Sequence, residues 1–207
     1  MSLKVVFMGT PEFSVPSLQA LIKNKIDILT VYTQPPARSK RGQKIEASPV
    51  EKFSKKNKIS FKNPIDLNST EELEEFKKLS ADIAIVVAYG QIIPKNFLDK
   101  TKFGFINLHA SLLPKWRGAA PIQRAIMNRD EKIGVSIMKI EEKLDSGPIL
   151  VSEELELDQN ATHGEIEKQL SIMGANLLIK SLKNIEDGNS KLVDQVHSEA
   201  TYAKKID

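Results

Sequence analysis

The run Ile83-Ala84-Ile85-Val86-Val87-Ala88 constrains the fold more than any other stretch. Six apolar residues without a polar break suit a strand covered on both faces, the situation of an inner strand in a parallel sheet. Leu3-Lys4-Val5-Val6-Phe7-Met8 reads as a second buried strand, stopped by Gly9-Thr10-Pro11. Phe13, Val15, Leu18, Leu21 and Ile22 then recur at roughly helical spacing, with Thr10 expected to cap that helix and Pro11 to open it. Asp27 to Thr33 and Ile59-Ser60-Phe61 read as further strands. Ser48-Pro49 starts a helix to about Lys56, and Ser69 or Thr70 one to about Leu79. Later strands are expected at Phe103 to Leu108, Gly134 to Ile140 and Ile149 to Leu157. Helices are expected at 119 to 128 and from Thr162 to about Asn184, the latter with Ile166, Leu170, Met173, Leu177 and Leu178 on one stripe. Strands alternating with helices predict an α/β, Rossmann-like three-layer domain with a mostly parallel central sheet.

In such sheets ligands sit beyond the carboxyl ends of the strands. Asn107 and His109 fall at such an end. Their i, i+2 spacing puts both on one face of the strand, and Ser111 and a proline-glycine loop follow. Two neutral hydrogen-bonding groups side by side can grip one developing charge, and a core strand has no use for them. Asp145 lies in Glu141-Glu142-Lys143-Leu144-Asp145-Ser146-Gly147-Pro148. On local sequence it is either a turn former or, if the sheet brings its loop to His109, a carboxylate that orients the imidazole.

Other chemistries find less support. The first strand-to-helix turn, Gly9-Thr10-Pro11-Glu12-Phe13, lacks the G-x-G-x-x-G that lets backbone approach a pyrophosphate, and Glu12 would repel phosphate. His109, His163 and His197 are far apart and form no zinc-type pair, so no metal is expected. Ser111 lacks the G-x-S-x-G elbow of a serine hydrolase. The absence of cysteine excludes disulfides and thiolate metal sites. No apolar run approaches 18 residues and no signal peptide precedes the first strand, so a soluble cytoplasmic protein is expected. The net charge is only +3. Yet Arg38, Lys40, Arg41, Lys44, Lys52, Lys55, Lys56, Lys58 and Lys62 crowd residues 36 to 62 against Glu46 and Glu51. That local excess suits a polyanion, and a solvated lysine-rich surface is the plainer alternative. Gln34 to Lys44 reads as an exposed loop.

Asn107-x-His109-x-Ser111-Leu112-Leu113-Pro114 with Asp145-Ser146-Gly147-Pro148 resembles the formyltransferases that use 10-formyltetrahydrofolate. Within them, Phe7-Met8-Gly9-Thr10-Pro11-Glu12-Phe13 and Pro114-Lys115-Trp116-Arg117-Gly118-Ala119-Ala120-Pro121-Ile122-Gln123-Arg124-Ala125-Ile126 are similar to the methionyl-tRNA formyltransferases. The resemblance runs through Ala200-Thr201-Tyr202-Ala203-Lys204-Lys205-Ile206. It implies the formyltransferase fold over 1–207, with Asn107, His109 and Asp145 catalytic. It implies 10-formyltetrahydrofolate as co-substrate, held by Ser111, Leu112, Leu113, Pro114, Val87, Tyr89, Gly90, Ile92 and Ile140. It further implies initiator methionyl-tRNA as partner, contacted by Arg38, Lys40, Arg41 and Lys44, and a monomer that binds no membrane. The family continues past Thr201-Tyr202-Ala203 into a smaller tRNA-binding barrel, so this chain is expected to be a catalytic-domain fragment or a shortened protein. Formyl transfer to glycinamide ribonucleotide or an amino sugar stays open, as does a non-catalytic RNA-binding module built on the basic segment.

Overall fold

Val5, Val6, Phe7 and Met8 are fully buried, and the strand they form, β1 (Lys4–Gly9), is the middle of the first sheet. The computed structural model describes residues 3–38 and 45–206, in two units, Met1–Phe105 and Ile106–Asp207. No helix among the described residues is long and apolar enough to cross a membrane.

In the first unit, helix α1 (Val15–Lys23) and strand β2 (Asp27–Tyr32) follow β1. Then come the two-residue strands β3 (Ala37–Arg38) and β4 (Ile45–Glu46), helix α2 (Pro49–Lys56) and strand β5 (Phe61–Lys62). Helix α3 (Thr70–Lys78), strand β6 (Ile83–Val87) and the short helix α4 (Lys95–Leu98) complete it. β1 lies between β2 and β6, and β5 pairs with the far side of β2; all three pairings are parallel. Every residue of β6 is buried, as its unbroken apolar run requires.

Phe76 from α3 anchors the core. Its ring stacks on Phe105 with centroids 5.6 Å apart and tilts against Phe97 at 5.1 Å. Ser48 caps α2, its Oγ accepting the Glu51 N–H at 2.9 Å, and Ser69 caps α3 in the same way.

Thr10 does not cap α1. Its hydroxyl donates to the Tyr89 carbonyl at 2.6 Å, and the Ser14 hydroxyl donates to the Val87 carbonyl at 2.6 Å. These side chains tie the carboxyl end of β1 to the segment after β6, so the chain spends a single 3-10 turn at Glu12–Ser14 before α1 starts at Val15. The strand expected at Ile59-Ser60-Phe61 forms two residues later, at Phe61–Lys62. In the expected loop 34–44, Ala37–Arg38 pairs antiparallel with Ile45–Glu46.

Two phenols sit deep in this unit. Tyr32 donates to Glu72 Oε1 at 2.7 Å. Burial first, and the Glu72 hydrogen bond second, push its ionisation far above the ordinary phenol range. Burial likewise pushes up Tyr89. An unfolded chain releases such protons near about pH 10 and the folded one holds them. The resulting stability is complete below that pH and is lost as pH rises beyond it. We expect alkaline absorbance titration to show the Tyr32 and Tyr89 phenolates appearing only together with loss of native circular dichroism. Reversible ionisation of all three tyrosines in folded protein would contradict this.

The second unit begins at Ile106, within β7 (Phe105–His109). It holds the two-residue strand β8 (Arg117–Gly118), helix α5 (Pro121–Met127), strands β9 (Lys132–Lys139) and β10 (Ile149–Glu156), helix α6 (His163–Glu186) and strand β11 (Tyr202–Ala203). β9 pairs antiparallel with both β7 and β10. These pairings are the antiparallel exceptions that a mostly parallel expectation leaves room for. Only residues 140–148 join β9 to β10, too few for the crossover that a parallel neighbour needs.

α6 packs on β9 and β10. Thr162 and Glu165 form a reciprocal capping box at its start. Gly174 lets it approach the sheet, since a Cβ there would stand 2.7 Å from two Leu108 methyls. β8 and β11 pair in parallel, Arg117 with Tyr202 and Gly118 with Ala203.

Candidate active site

β7 presents Asn107 and His109 at positions that face Met138 and Ser136 across the antiparallel ladder. His109 is 6% exposed; Asn107 is half-buried. Among the described residues the Asn107 side-chain amide has no hydrogen-bond partner. A half-buried amide without a partner is poised to donate to something from outside the chain.

His109 has an acceptor at each ring nitrogen. Nε2 lies 2.8 Å from the Trp116 carbonyl oxygen. A carbonyl only accepts, so this bond fixes a proton on Nε2. Nδ1 lies 3.7 Å from Asp145 Oδ2, within ion-pair reach but too long for a hydrogen bond. The structure thus brings Asp145 to His109 from 36 residues away in sequence, while Asp145 also stands in a turn. Asp145 Oδ2 also accepts the Gly118 N–H at 2.8 Å.

The backbone at this site is unusual. Trp116 has φ +61° and Asp145 φ +47°, a region that costs a non-glycine residue about 1–3 kcal/mol. Something must hold both turns. One clamp is Arg117, 4% exposed. Its Nε and Nη2 donate to Gln195 Oε1 at 3.1 and 2.7 Å, and Nη2 donates to His197 Nδ1 at 3.0 Å. Gln195 Nε2 donates in turn to the carbonyls of Asp145 and Gly147, at 3.0 and 2.7 Å. One buried guanidinium and one buried amide thereby join the 115–120 loop to the 141–148 loop.

The second clamp is the segment 201–203. The Trp116 N–H donates to Thr201 Oγ1 at 2.9 Å. The Arg117 and Ala119 N–H groups donate to the carbonyls of Thr201 and Ala203, each at 2.9 Å. Gly118 has φ +116°, and a Cβ there would stand 2.9 Å from the Ala203 oxygen. Of these clamping residues, Trp116, Arg117 and Gly118 stand in a motif read from sequence without a role being assigned to them. Gln195 carries no local signal at all.

The expected folate-binding residues divide between the units. In the second, Ser111 Oγ donates to the Lys115 carbonyl at 2.6 Å. Ser136 Oγ braces the same loop, donating to the Ser111 carbonyl at 2.8 Å and accepting the Leu113 N–H at 3.1 Å. Leu112, Pro114 and Ile140 are half-buried and Leu113 is buried; Leu113-Pro114 is a cis peptide. In the first unit, Val87 and Tyr89 are buried, Gly90 (φ +88°) is exposed and Ile92 is 90% exposed. The Tyr89 ring is buried, and the Tyr89 carbonyl accepts the Thr10 hydroxyl.

Lys40, Arg41 and Lys44 lie outside the described residues, and of Arg38 only the backbone is described. Several neighbouring cations are already paired: Lys52 with Glu46 at 3.2 Å, Lys55 with Glu51 at 2.6 Å and Lys62 with Glu72 at 3.3 Å. Among the described residues no three His, Cys, Asp or Glu side chains cluster in a way that could hold a metal ion.

This geometry can polarise a carbonyl and steady the charge that develops on it. The comparisons point the same way. The chain is 47% identical over 206 residues to the methionyl-tRNA formyltransferase of Coxiella burnetii, covering 100% of this chain and 66% of the relative. It is 48% identical over 208 residues to that of Pelagibacter ubique, covering 100% and 67%. The chain thus spans about two thirds of the length of these curated relatives. Among solved structures, phosphoribosylglycinamide formyltransferase from Bacillus halodurans superposes with TM-score 0.74 at 18% identity, over 88% of this chain and 94% of that one. WlaRD, a sugar 3N-formyltransferase solved in the presence of dTDP and 5-N-formyl-THF, gives TM-score 0.71 at 21% identity, over 98% and 70%. These two show the shared fold and bear out the α/β expectation. Residues 3–182 match the formyl transferase family, and with the Asn107, His109 and Asp145 arrangement in place the chain is a member of that family.

Proposed function

We propose that the chain transfers the formyl group of 10-formyltetrahydrofolate to the α-amine of methionine on initiator tRNA, as a cytoplasmic monomer. The observation that carries this reading is the unpartnered Asn107 amide beside an imidazole that faces a carboxylate. Identity of 47–48% to methionyl-tRNA formyltransferases supports the choice of acceptor.

Formyl-folate is a substrate here, and supplies an acyl carbon whose leaving group is N10. Asn107 fits its formyl oxygen, because the amide has no competing partner in the chain. As the methionine amine attacks the formyl carbon, the C=O electrons move onto oxygen. Asn107 donates to that oxygen. His109 donates from Nε2, exchanging the Trp116 carbonyl for the stronger anionic acceptor. Asp145 holds the ring and stabilises its positive charge. Through water it also passes the proton lost by the amine to N10, whose bond to carbon then breaks. Ser111, Leu112, Leu113, Pro114 and Ile140, with Val87, Tyr89, Gly90 and Ile92, are the residues we assign to the folate. Ser111 acts through backbone and shape, since its hydroxyl is engaged with Lys115.

Offering methionyl-tRNA, glycinamide ribonucleotide and an amino-sugar nucleotide with the same formyl donor tests the reading. Product is expected with the first alone, and transfer to either of the others instead would overturn it. Arg38, Lys40, Arg41 and Lys44 are assigned to tRNA phosphates. The double substitution Arg41→Gln, Lys44→Gln is expected to weaken tRNA binding. It should also flatten the dependence of log affinity on log salt by about 1 per charge removed. An unchanged slope would take this segment out of the interface.

A further inference from the structure

The ring of Trp116, whose carbonyl holds His109, lines an open groove of about 330 Å³ together with Arg124, Met127, Asn128, Tyr202 and Lys204. The Trp116 ring is held from behind, and the Tyr202 backbone is held in a strand. The indole Nε1–H of Trp116 donates to Asp130 Oδ2 at 2.6 Å, and Tyr202 belongs to β11. Tyr202 is 61% exposed and Met127 66% exposed. Neither aromatic ring stacks on another among the described residues. Arg124 donates Nε and Nη2 to the Lys204 carbonyl at 3.2 and 3.1 Å, which holds the guanidinium in place with Nη1 left over.

Asp130, behind the indole, has both oxygens hydrogen-bonded, one to Trp116 Nε1 and the other to Asn128 Nδ2 at 2.6 Å. The lining is therefore aromatic and cationic with no acidic member. That is the composition of a single-strand nucleic-acid platform, where rings take bases and cations take phosphates.

We propose that this groove binds an unpaired nucleotide of the RNA substrate, its base against Trp116 and Tyr202 and its phosphate against Arg124 and Lys204. The proposal rests on the reading that the acceptor amine is carried by RNA. It gives the chain a second hold on that substrate, through the same residue whose carbonyl bonds His109.

Trp116 is the chain's single tryptophan, so its emission, excited selectively over the three tyrosines, reports on this ring. Titration with a single-stranded hexa-adenylate should quench it saturably. Tyr202→Ala should weaken that binding about 5- to 150-fold, while Tyr202→Phe, which keeps the ring, restores it. Lys204→Gln, at an exposed side chain that does not threaten folding, should lower the slope of log affinity against log salt by about 0.7. No quenching, or quenching that Tyr202→Ala leaves untouched, would overturn the proposal. Formyl transfer to methionyl-tRNA is measured in parallel. Transfer without quenching would sink the groove and spare the functional reading. Quenching without transfer would do the reverse.

Discussion

Asn107→Ala is expected to slow formyl transfer by about 100- to 1,000-fold, the usual loss when one donor to a developing oxyanion is removed. The fall should be in kcat, with KM for the folate nearly unchanged, because the amide is asked to act on charge that exists only in the transition state. His109→Ala should cost at least as much, since it removes a second donor and the positive charge behind it. Asp145→Asn isolates the carboxylate. An asparagine can still accept the Gly118 N–H through its side-chain oxygen, so the loop keeps that anchor. The charge facing His109 Nδ1 at 3.7 Å is lost, and a drop of about 100-fold or more is expected from the acid–base contribution alone. The Asn107→Ala, His109→Ala double variant should fall less than the product of the single effects, because the two act on one oxygen. Near-normal turnover in any single variant would remove that residue from the scheme.

Gly147→Ala should be nearly as damaging, although residue 147 touches no reacting atom. A Cβ there would stand 2.1 Å from the Lys139 carbonyl oxygen and 3.0 Å from its carbon. Both are strand backbone and cannot step aside. The turn itself must move, and it is tethered on either side of the glycine: the Lys139 N–H donates to the Pro148 carbonyl at 2.9 Å, and Gln195 bonds the carbonyls of Asp145 and Gly147. The displacement therefore reaches Asp145. We expect a loss of stability of about 1–3 kcal/mol, read as a lower urea midpoint, together with a kcat comparable to that of Asp145→Asn. Gln195→Leu separates the two effects. It leaves the turn unclashed but strips it of its hydrogen bonds, and its activity should lie between wild type and Gly147→Ala. Wild-type midpoint and turnover in Gly147→Ala would refute the account of the clamp.

The parts of this molecule that were legible in its sequence are those whose cause is local. Ile83–Val87 is apolar at every position and is buried at every position. Ser48, Ser69 and Thr162 cap helices because their own third neighbours supply the N–H groups. Thr10 misleads for the opposite reason, since its hydroxyl goes to a carbonyl 79 residues away. The antiparallel course of β9 and β10 could have been read from the short 140–148 connection, a signal that outranks strand alternation. At the site, the i, i+2 spacing of Asn107 and His109 announced itself, while the meeting of Asp145 with His109 depends on which strands pair. β8 and β11 are two residues each and exist only as partners of one another. Arg117 and Gln195, 78 residues apart, give no hint of burial in a sequence where most arginines and glutamines face water.

The pairing of residues 116–119 with 201–203 has a consequence for the order of events during synthesis. A ribosome delivers Asn107 and His109 well before the Thr201 hydroxyl that pins Trp116 and the Thr201 and Ala203 carbonyls that pin Arg117 and Ala119. Until then the turn carrying the His109 acceptor lacks these three hydrogen bonds and rests on its contacts with His109, Asp130 and Asp145. A polypeptide released before that three-residue latch is expected to hold the His109 acceptor less firmly, and so to turn over more slowly, than one that includes it.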